Sequence, residues 1–135
     1  MTIFGNGVDI VDNKRIKKLI NNKNFINRIF NKSEIKESYK KKNKVNYYAK
    51  RFAAKEAFVK ALGTGFSKGI NFNNIIITNS LSGKPAIKLD FKLNKIIKKK
   101  YKNTKFNINL SLSDEKDYSI AYVIIEFIKW LQKKA

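Results

Sequence analysis

The stretch YYAKRFAAKEAFVKAL, Tyr47 to Leu62, decides the fold, because it reads as one long helix with a small residue on every turn. Ala49, Ala53, Ala57 and Ala61 recur at every fourth position, which keeps them on one side of a helix with 3.6 residues per turn. On the same wheel Glu56 falls between Phe52 and Val59 on one side and Ala49 and Ala53 on the other. That places an acid in the middle of the apolar arc. A carboxylate there loses water and must recover the cost from a cation, a hydrogen-bond network or a metal.

Outward from this helix the pattern is α+β. Ile3 to Val11 reads as a strand, with Val8 and Ile10 on one face and Gly7, Asp9 and Val11 on the other. Asp12 is the expected N-cap of a short helix carrying Ile16, Leu19 and Ile20. Two more short helices are expected around Phe25–Phe30 and from Ser33, before a basic loop at Lys40–Lys44. Gly63 and Gly65 end the long helix with a left-handed cap. Strands are expected at Ile75–Thr78 and Ala86–Leu89, joined by a hairpin-like connection, then a basic amphipathic helix over Phe91–Tyr101. Phe106, Ile108, Leu110 and Leu112 alternate with polar residues, as a half-buried strand does. Ser119 to Phe127 is apolar on both faces and reads as the central strand. The expectation is a single domain over 1–135, with 128–135 a short tail begun by Trp130 and Leu131: an antiparallel sheet packed on one long helix plus shorter helices.

Composition narrows the function. At 135 residues the chain can bury a real core. It has no cysteine or histidine, which removes disulfides, thiolate sites and any histidine base or zinc–histidine centre. No apolar run approaches the roughly 20 residues of a membrane helix, and no signal peptide is evident, so a cytoplasmic location is expected. The net charge of +20 suggests nucleic acid at first sight. Yet 27 of the 30 basic residues are lysine, beside 17 asparagines and 19 isoleucines, the bias that AT-rich codons write. Arginine is the better bidentate partner for phosphate and carboxylate, so Arg15, Arg28 and Arg51 carry more information than the lysines. Neither GxGxxG nor the GxxxxGK phosphate loop is present.

Asp9 is the second misplaced acid, set inside an apolar strand. Two such acids form a minimal site for a hard cation, since Mg²⁺ takes one or two carboxylates and completes its shell with water and phosphate oxygens. Plainer readings stand beside this one. Glu56 can pair with Lys60 one turn on, Asp9 can cap a turn, and the cations Arg51, Lys55 and Lys60 can be a solvated face. Gly83-Lys84-Pro85 is a ligand loop or merely a turn, and Asp114, Glu115 and Asp117 read as a polar turn.

Four ordered motifs resemble the holo-acyl-carrier-protein synthases, the small 4′-phosphopantetheinyl transferases. Gly7 to Val11 (GVDIV) resembles the family's GxDIV opening, and Arg51 to Gly65 (RFAAKEAFVKALGTG) its central signature. Ser82 to Pro85 (SGKP) resembles its third motif, and Leu110 to Ser113 (LSLS) with Tyr118 and Ala121 its last. The likeness runs from about Gly5 to Glu126. It implies the 4′-phosphopantetheinyl transferase fold and transfer of 4′-phosphopantetheine from coenzyme A to a serine of apo-acyl carrier protein, releasing adenosine 3′,5′-bisphosphate in support of fatty acid biosynthesis. It implies Asp9 and Glu56 as Mg²⁺ ligands, with Glu56 and Lys60 in the catalytic roles. Arg51, Lys55, Lys60, Gly63, Gly83, Lys84 and Pro85 would contact coenzyme A, and Arg15 and Arg28 the carrier protein. It also implies a homotrimer with sites between subunits. Asn109 and Asp114 stand where many relatives carry histidine, so the general base is unassigned. The rival reading is a basic nucleic-acid-binding module without activity. A third is a peripheral membrane protein using Lys92–Lys105. Both rank below the transferase, for which neither nucleic acid nor membrane is an expected partner.

Overall fold

The computed structural model describes residues 2–63, 71–102 and 104–129. Thr64, Gly65, Trp130 and Leu131, named above in the cap and the tail, lie outside the described residues. The chain runs β1 (Thr2–Asp12), α1 (Asn13–Leu19), α2 (Lys23–Ile29), α3 (Lys32–Ser38), α4 (Lys44–Leu62), a 3₁₀ turn (Phe72–Asn74), β2 (Ile75–Asn79), β3 (Pro85–Leu89), α5 (Phe91–Lys100), β4 (Thr104–Asp114) and β5 (Tyr118–Lys129). This is the α+β architecture that the alternation of patterns predicts. β5 is central, as its two apolar faces indicate, in an antiparallel sheet of order β1-β5-β4. The expectation is one antiparallel sheet; among the described residues β2 and β3 pair with each other as a second, two-stranded sheet.

Local chemistry sets the helix ends. The Asp12 side chain accepts from Lys14 N and starts α1, as expected. Asn22 and Asn31 cap α2 and α3, and Asn31 with Glu34 closes a capping box. α4 begins at Lys44 rather than Tyr47, because the Asn43 side chain accepts from Asn46 N and recruits another turn. Gly63 adopts φ 76° and returns its N–H to Val59 O, the left-handed cap that the sequence calls for.

α4 lies between two layers. One flank meets β1, β5 and β4; the other meets α1, α3 and β2. The contact with β1 is made backbone to backbone. A Cβ added at Gly7 would overlap Ala57 O, and one at Gly5 would overlap Ala61 O. Glycines on the strand and alanines on the helix are therefore one device, and together they bring Asp9 alongside α4. Gly7→Ala is expected to cost about 1–3 kcal/mol by overpacking, read as a lower urea midpoint with an unchanged slope. A parent-like midpoint would mean that strand and helix can separate freely.

At the far end of β1, Asn13 fixes the turn into α1. Its side-chain amide donates to Glu115 O (3.2 Å) and Lys116 O (3.1 Å), and its carbonyl oxygen accepts from Ser119 Oγ (2.8 Å). The junction after Asp9 is thus anchored to the β4–β5 turn.

The outer face of the sheet remains uncovered. Val8 and Ile10 are 53% and 60% exposed. They stand opposite Tyr122 and Ile120 in the register, which are also exposed. β5 is apolar on both faces, but the described residues cover only one of them.

Candidate active site

Asp9 points from β1 toward α4, with its side chain 16% exposed, and its Oδ1 accepts from Lys60 Nζ at 2.9 Å. The same ammonium donates to Val8 O at 3.1 Å. Glu56 lies one turn before Lys60 and is half-buried. Its carboxyl is held above the usual carboxylate range, first by burial, then by the negative charge of Asp9, with Lys60 and Arg15 pulling the other way. The two acids, 47 positions apart in the chain, therefore feel each other directly. Lys60 and Arg15 stand beside them.

Two sequence expectations change here. Glu56 is not in the middle of the packed arc: it is half-buried between buried Ala53 and exposed Lys60, with Asp9 and Arg15 near it. Nor is Glu56 the partner of Lys60; the lysine reaches across to Asp9. Among the described residues no hydrogen bond or ion pair is made by the Glu56 carboxylate, and no group of three or more acid or histidine ligands forms. The protein's contribution is two carboxylates, one of them without a partner. That donor set fits a hard cation that completes its shell from water and phosphate, as Mg²⁺ does.

Lys55 corrects the expectation of a coenzyme A contact. It is fully buried, and its ammonium donates to Glu34 Oε1 (2.6 Å), Ile29 O (2.9 Å) and Phe72 O (3.2 Å). An ammonium has three donors, and all three are engaged inside the protein. Burial pulls its amine down to about 8, so it is still a cation at neutral pH. Glu34, which sequence reasoning passed over, also accepts from Asn31 N and Ile77 N (both 2.9 Å). The pair joins α2, α3, α4 and β2.

Arg51 is buried, with its guanidinium stacked 3.7 Å from the Tyr47 ring centroid. Its Nη2 donates to Asn79 Oδ1 at 2.7 Å, while Nε is buried with no partner among the described residues. The Asn79 amide in turn donates to Gly83 O (3.0 Å), inside a loop closed by Gly83 N to Ser80 O (2.8 Å) and Ser80 N to Lys84 O (2.9 Å). Arg51 and the Gly83–Pro85 loop are thus physically connected, through an asparagine that no motif singled out. A cavity of about 260 Å³ opens beside Arg51, lined by Ser33, Glu37, Lys41, Tyr47 and Asn79. Gly63 is exposed at the end of α4.

Arg15 is exposed on α1, 5.9 Å from the Phe52 ring centroid and near Glu56. Arg28 is exposed on the last turn of α2. Asp114 is more than a turn residue: it accepts from Asn46 Nδ2 (2.5 Å) and lies 3.6 Å from Lys50 Nζ, tying β4 to the start of α4. Asn109 sits on the outer sheet face, where it and Asn107 donate to Glu126 Oε1 (2.9 and 3.2 Å).

This geometry has relatives. The sequence model of the 4′-phosphopantetheinyl transferase superfamily matches residues 5–123. A holo-acyl-carrier-protein synthase of Pelagibacter ubique is 53% identical over 126 residues, covering 93% of this chain and 98% of that one. The crystal structure of the Neisseria meningitidis holo-acyl-carrier-protein synthase superposes with a TM-score of 0.84 at 40% identity, covering 93% and 99% of the two chains. That of Bacillus anthracis, in complex with CoA (3′,5′-ADP), gives 0.76 at 31% identity over 93% and 97%.

Proposed function

This chain belongs to the 4′-phosphopantetheinyl transferase superfamily, and from that premise we propose that its site moves 4′-phosphopantetheine from coenzyme A to a serine of an apo-acyl carrier protein, releasing adenosine 3′,5′-bisphosphate. The observation that carries this reading is the meeting of Asp9 and Glu56 beside Lys60. Phosphoryl transfer depends mainly on placing the nucleophile in line and neutralising charge on the phosphoryl oxygens. Asp9 and Glu56 are the residues that would hold Mg²⁺, which supplies that neutralisation when bound. Lys60 would add a cation toward the diphosphate. Arg51, with its partnerless Nε and the adjoining cavity, and the Gly83–Pro85 loop attached to it through Asn79, form an anionic-ligand cradle for the nucleotide end of coenzyme A. Arg15, exposed near Glu56, and Arg28 on α2 would meet the carrier protein; acidic carrier helices are steered by such basic faces.

The direct test is incubation with coenzyme A, Mg²⁺ and an apo-acyl carrier protein, followed by mass spectrometry of the carrier. The expected result is one added phosphopantetheine on its serine. No added mass with any bacterial apo-carrier overturns the reading. A nucleic-acid module gives no reason for two acids in this place, since without a metal they repel phosphate.

The assembly proposed is a homotrimer with sites between subunits. Its support is the uncovered patch of Val8, Ile10, Ile120 and Tyr122, because contiguous exposed apolar surface marks contact between chains. Val8 and Ile10 flank Asp9 on β1, so covering them braces the site. The double variant Ile120→Lys/Tyr122→Lys is expected to reduce the mass in light scattering from three chains to one, with transfer reduced by about tenfold or more. A parent protein that is already monomeric at micromolar concentration refutes the assembly. With no membrane-length apolar helix among the described residues and a carrier protein as partner, the cytoplasm is the proposed location.

A further inference from the structure

Lys60 differs from the other cations of α4. Lys55 is buried with its three donors engaged, and Arg51 is buried against Tyr47 and Asn79. The Lys60 side chain is 54% exposed, and it holds the carboxylate proposed as a metal ligand. It is anchored a second time by Val8 O, which orients the ammonium over Asp9. Beside Asp9, and within electrostatic reach of Glu56, Lys60 is therefore a built-in monovalent cation.

We propose that Lys60 competes with the divalent ion for Asp9, so that the site accepts metal fully only when the diphosphate of coenzyme A draws the ammonium away. This rests on the reading of Asp9 and Glu56 as metal ligands and adds an order of events to it. The physical ground is charge. An ammonium within hydrogen-bonding distance of Asp9 Oδ1 repels a second cation brought to the same carboxylate, and the repulsion is strong where water is partly excluded. A diphosphate relieves the conflict, because it supplies oxygens to both cations at once. Lys60 moves from one anion to another, with no bond made or broken in the protein. By linkage, the metal tightens coenzyme A by the same factor as coenzyme A tightens the metal. The lysine thus makes two ligands that meet at one carboxylate cooperative. It also keeps Asp9 neutralised, so the strand end stays ordered against α4 before either arrives.

The test is calorimetric titration of the full chain with Mn²⁺ at pH 8, with and without coenzyme A, on the parent and on Lys60→Gln. Lys60→Gln is expected to bind Mn²⁺ alone about five- to tenfold more tightly than the parent. Coenzyme A is expected to tighten Mn²⁺ more in the parent than in Lys60→Gln. Adenosine 3′,5′-bisphosphate, which lacks the diphosphate, is expected to tighten it less than coenzyme A does. Equal or weaker Mn²⁺ binding by Lys60→Gln overturns the competition, as does an undiminished effect of coenzyme A in that variant. Asp9→Asn and Glu56→Gln separate this outcome from failure of the site itself. If either binds Mn²⁺ like the parent, the metal assignment falls; if both lose it while Lys60→Gln is parent-like, only the competition falls. The exposure of Lys60 means that its variant keeps the fold, which the melting curve verifies.

Discussion

Glu56→Gln is expected to reduce Mg²⁺-dependent transfer by about 10³-fold or more, the scale on which one charge-stabilising group acts in phosphoryl transfer, and to raise the melting temperature of the protein in chelator at neutral pH. The two effects have one origin. Burial and the nearby Asp9 charge hold the Glu56 carboxyl above its ordinary value. A raised value means that the folded state keeps a proton which the unfolded chain has already released. Stability from this group is therefore complete below the ordinary glutamate range and lost as pH rises through the folded value. At pH 7 the ionised acid opposes folding, and glutamine removes that opposition with nearly the same shape. The gap in melting temperature should close as pH falls toward 4, where the parent carries the proton too. Asp9→Asn should behave differently: equally inactive, but without the gain, because it loses the Lys60 contact. Full activity of Glu56→Gln with Mg²⁺ would remove the chemical centre from this account. A lower melting temperature would contradict the electrostatic one. Active sites commonly trade stability for function in this way.

Lys55→Met is expected to destabilise the protein by about 3–5 kcal/mol, because it leaves the buried Glu34 charge without its partner. It also strips a donor from Ile29 O and from Phe72 O. For a chain of this size the loss should appear as a fall in melting temperature of about 10 °C or more. Adding Glu34→Leu should recover part of it, since an apolar pair can replace a buried ion pair. The recovery is incomplete because Asn31 N and Ile77 N also depend on the Glu34 carboxylate. This variant separates two views of the lysine. If Lys55 held coenzyme A, as the motif alone implied, Lys55→Met would melt like the parent and lose only affinity for coenzyme A.

What could be seen in the sequence follows the range of the interactions. Asp12 as a cap, the body of α4 and the Gly63 terminus are decided within a turn or two of chain, and all were legible. The central place of β5 was legible because its residues are apolar on alternate and intervening positions alike. Lys55 was misread because its partner Glu34 lies 21 residues away, on a helix with no motif of its own. The rule that pairs residues four apart matched Glu56 with Lys60, but β1 offered Lys60 the Asp9 carboxylate, 51 positions earlier, and the Val8 carbonyl beside it. Asp9 and Glu56 were conspicuous one at a time, as acids in apolar settings. That they share a site was implied by the family resemblance, and the structure adds the means, Gly5 and Gly7 against Ala61 and Ala57. The second sheet and the Asn79 link escaped notice because asparagine abounds in this chain and one more carries no signal.

The abutment of Gly5 and Gly7 on the helix carbonyls has a bearing on ion choice. With no side chain between the two backbones, the helix has no room to slide closer to the strand that carries Asp9. Mg²⁺ demands oxygens at about 2.0–2.1 Å in an octahedron, whereas Ca²⁺ wants six to eight of them at about 2.3–2.6 Å in a pliable shell. Two carboxylates carried on so close a contact would suit the small ion better than the large one.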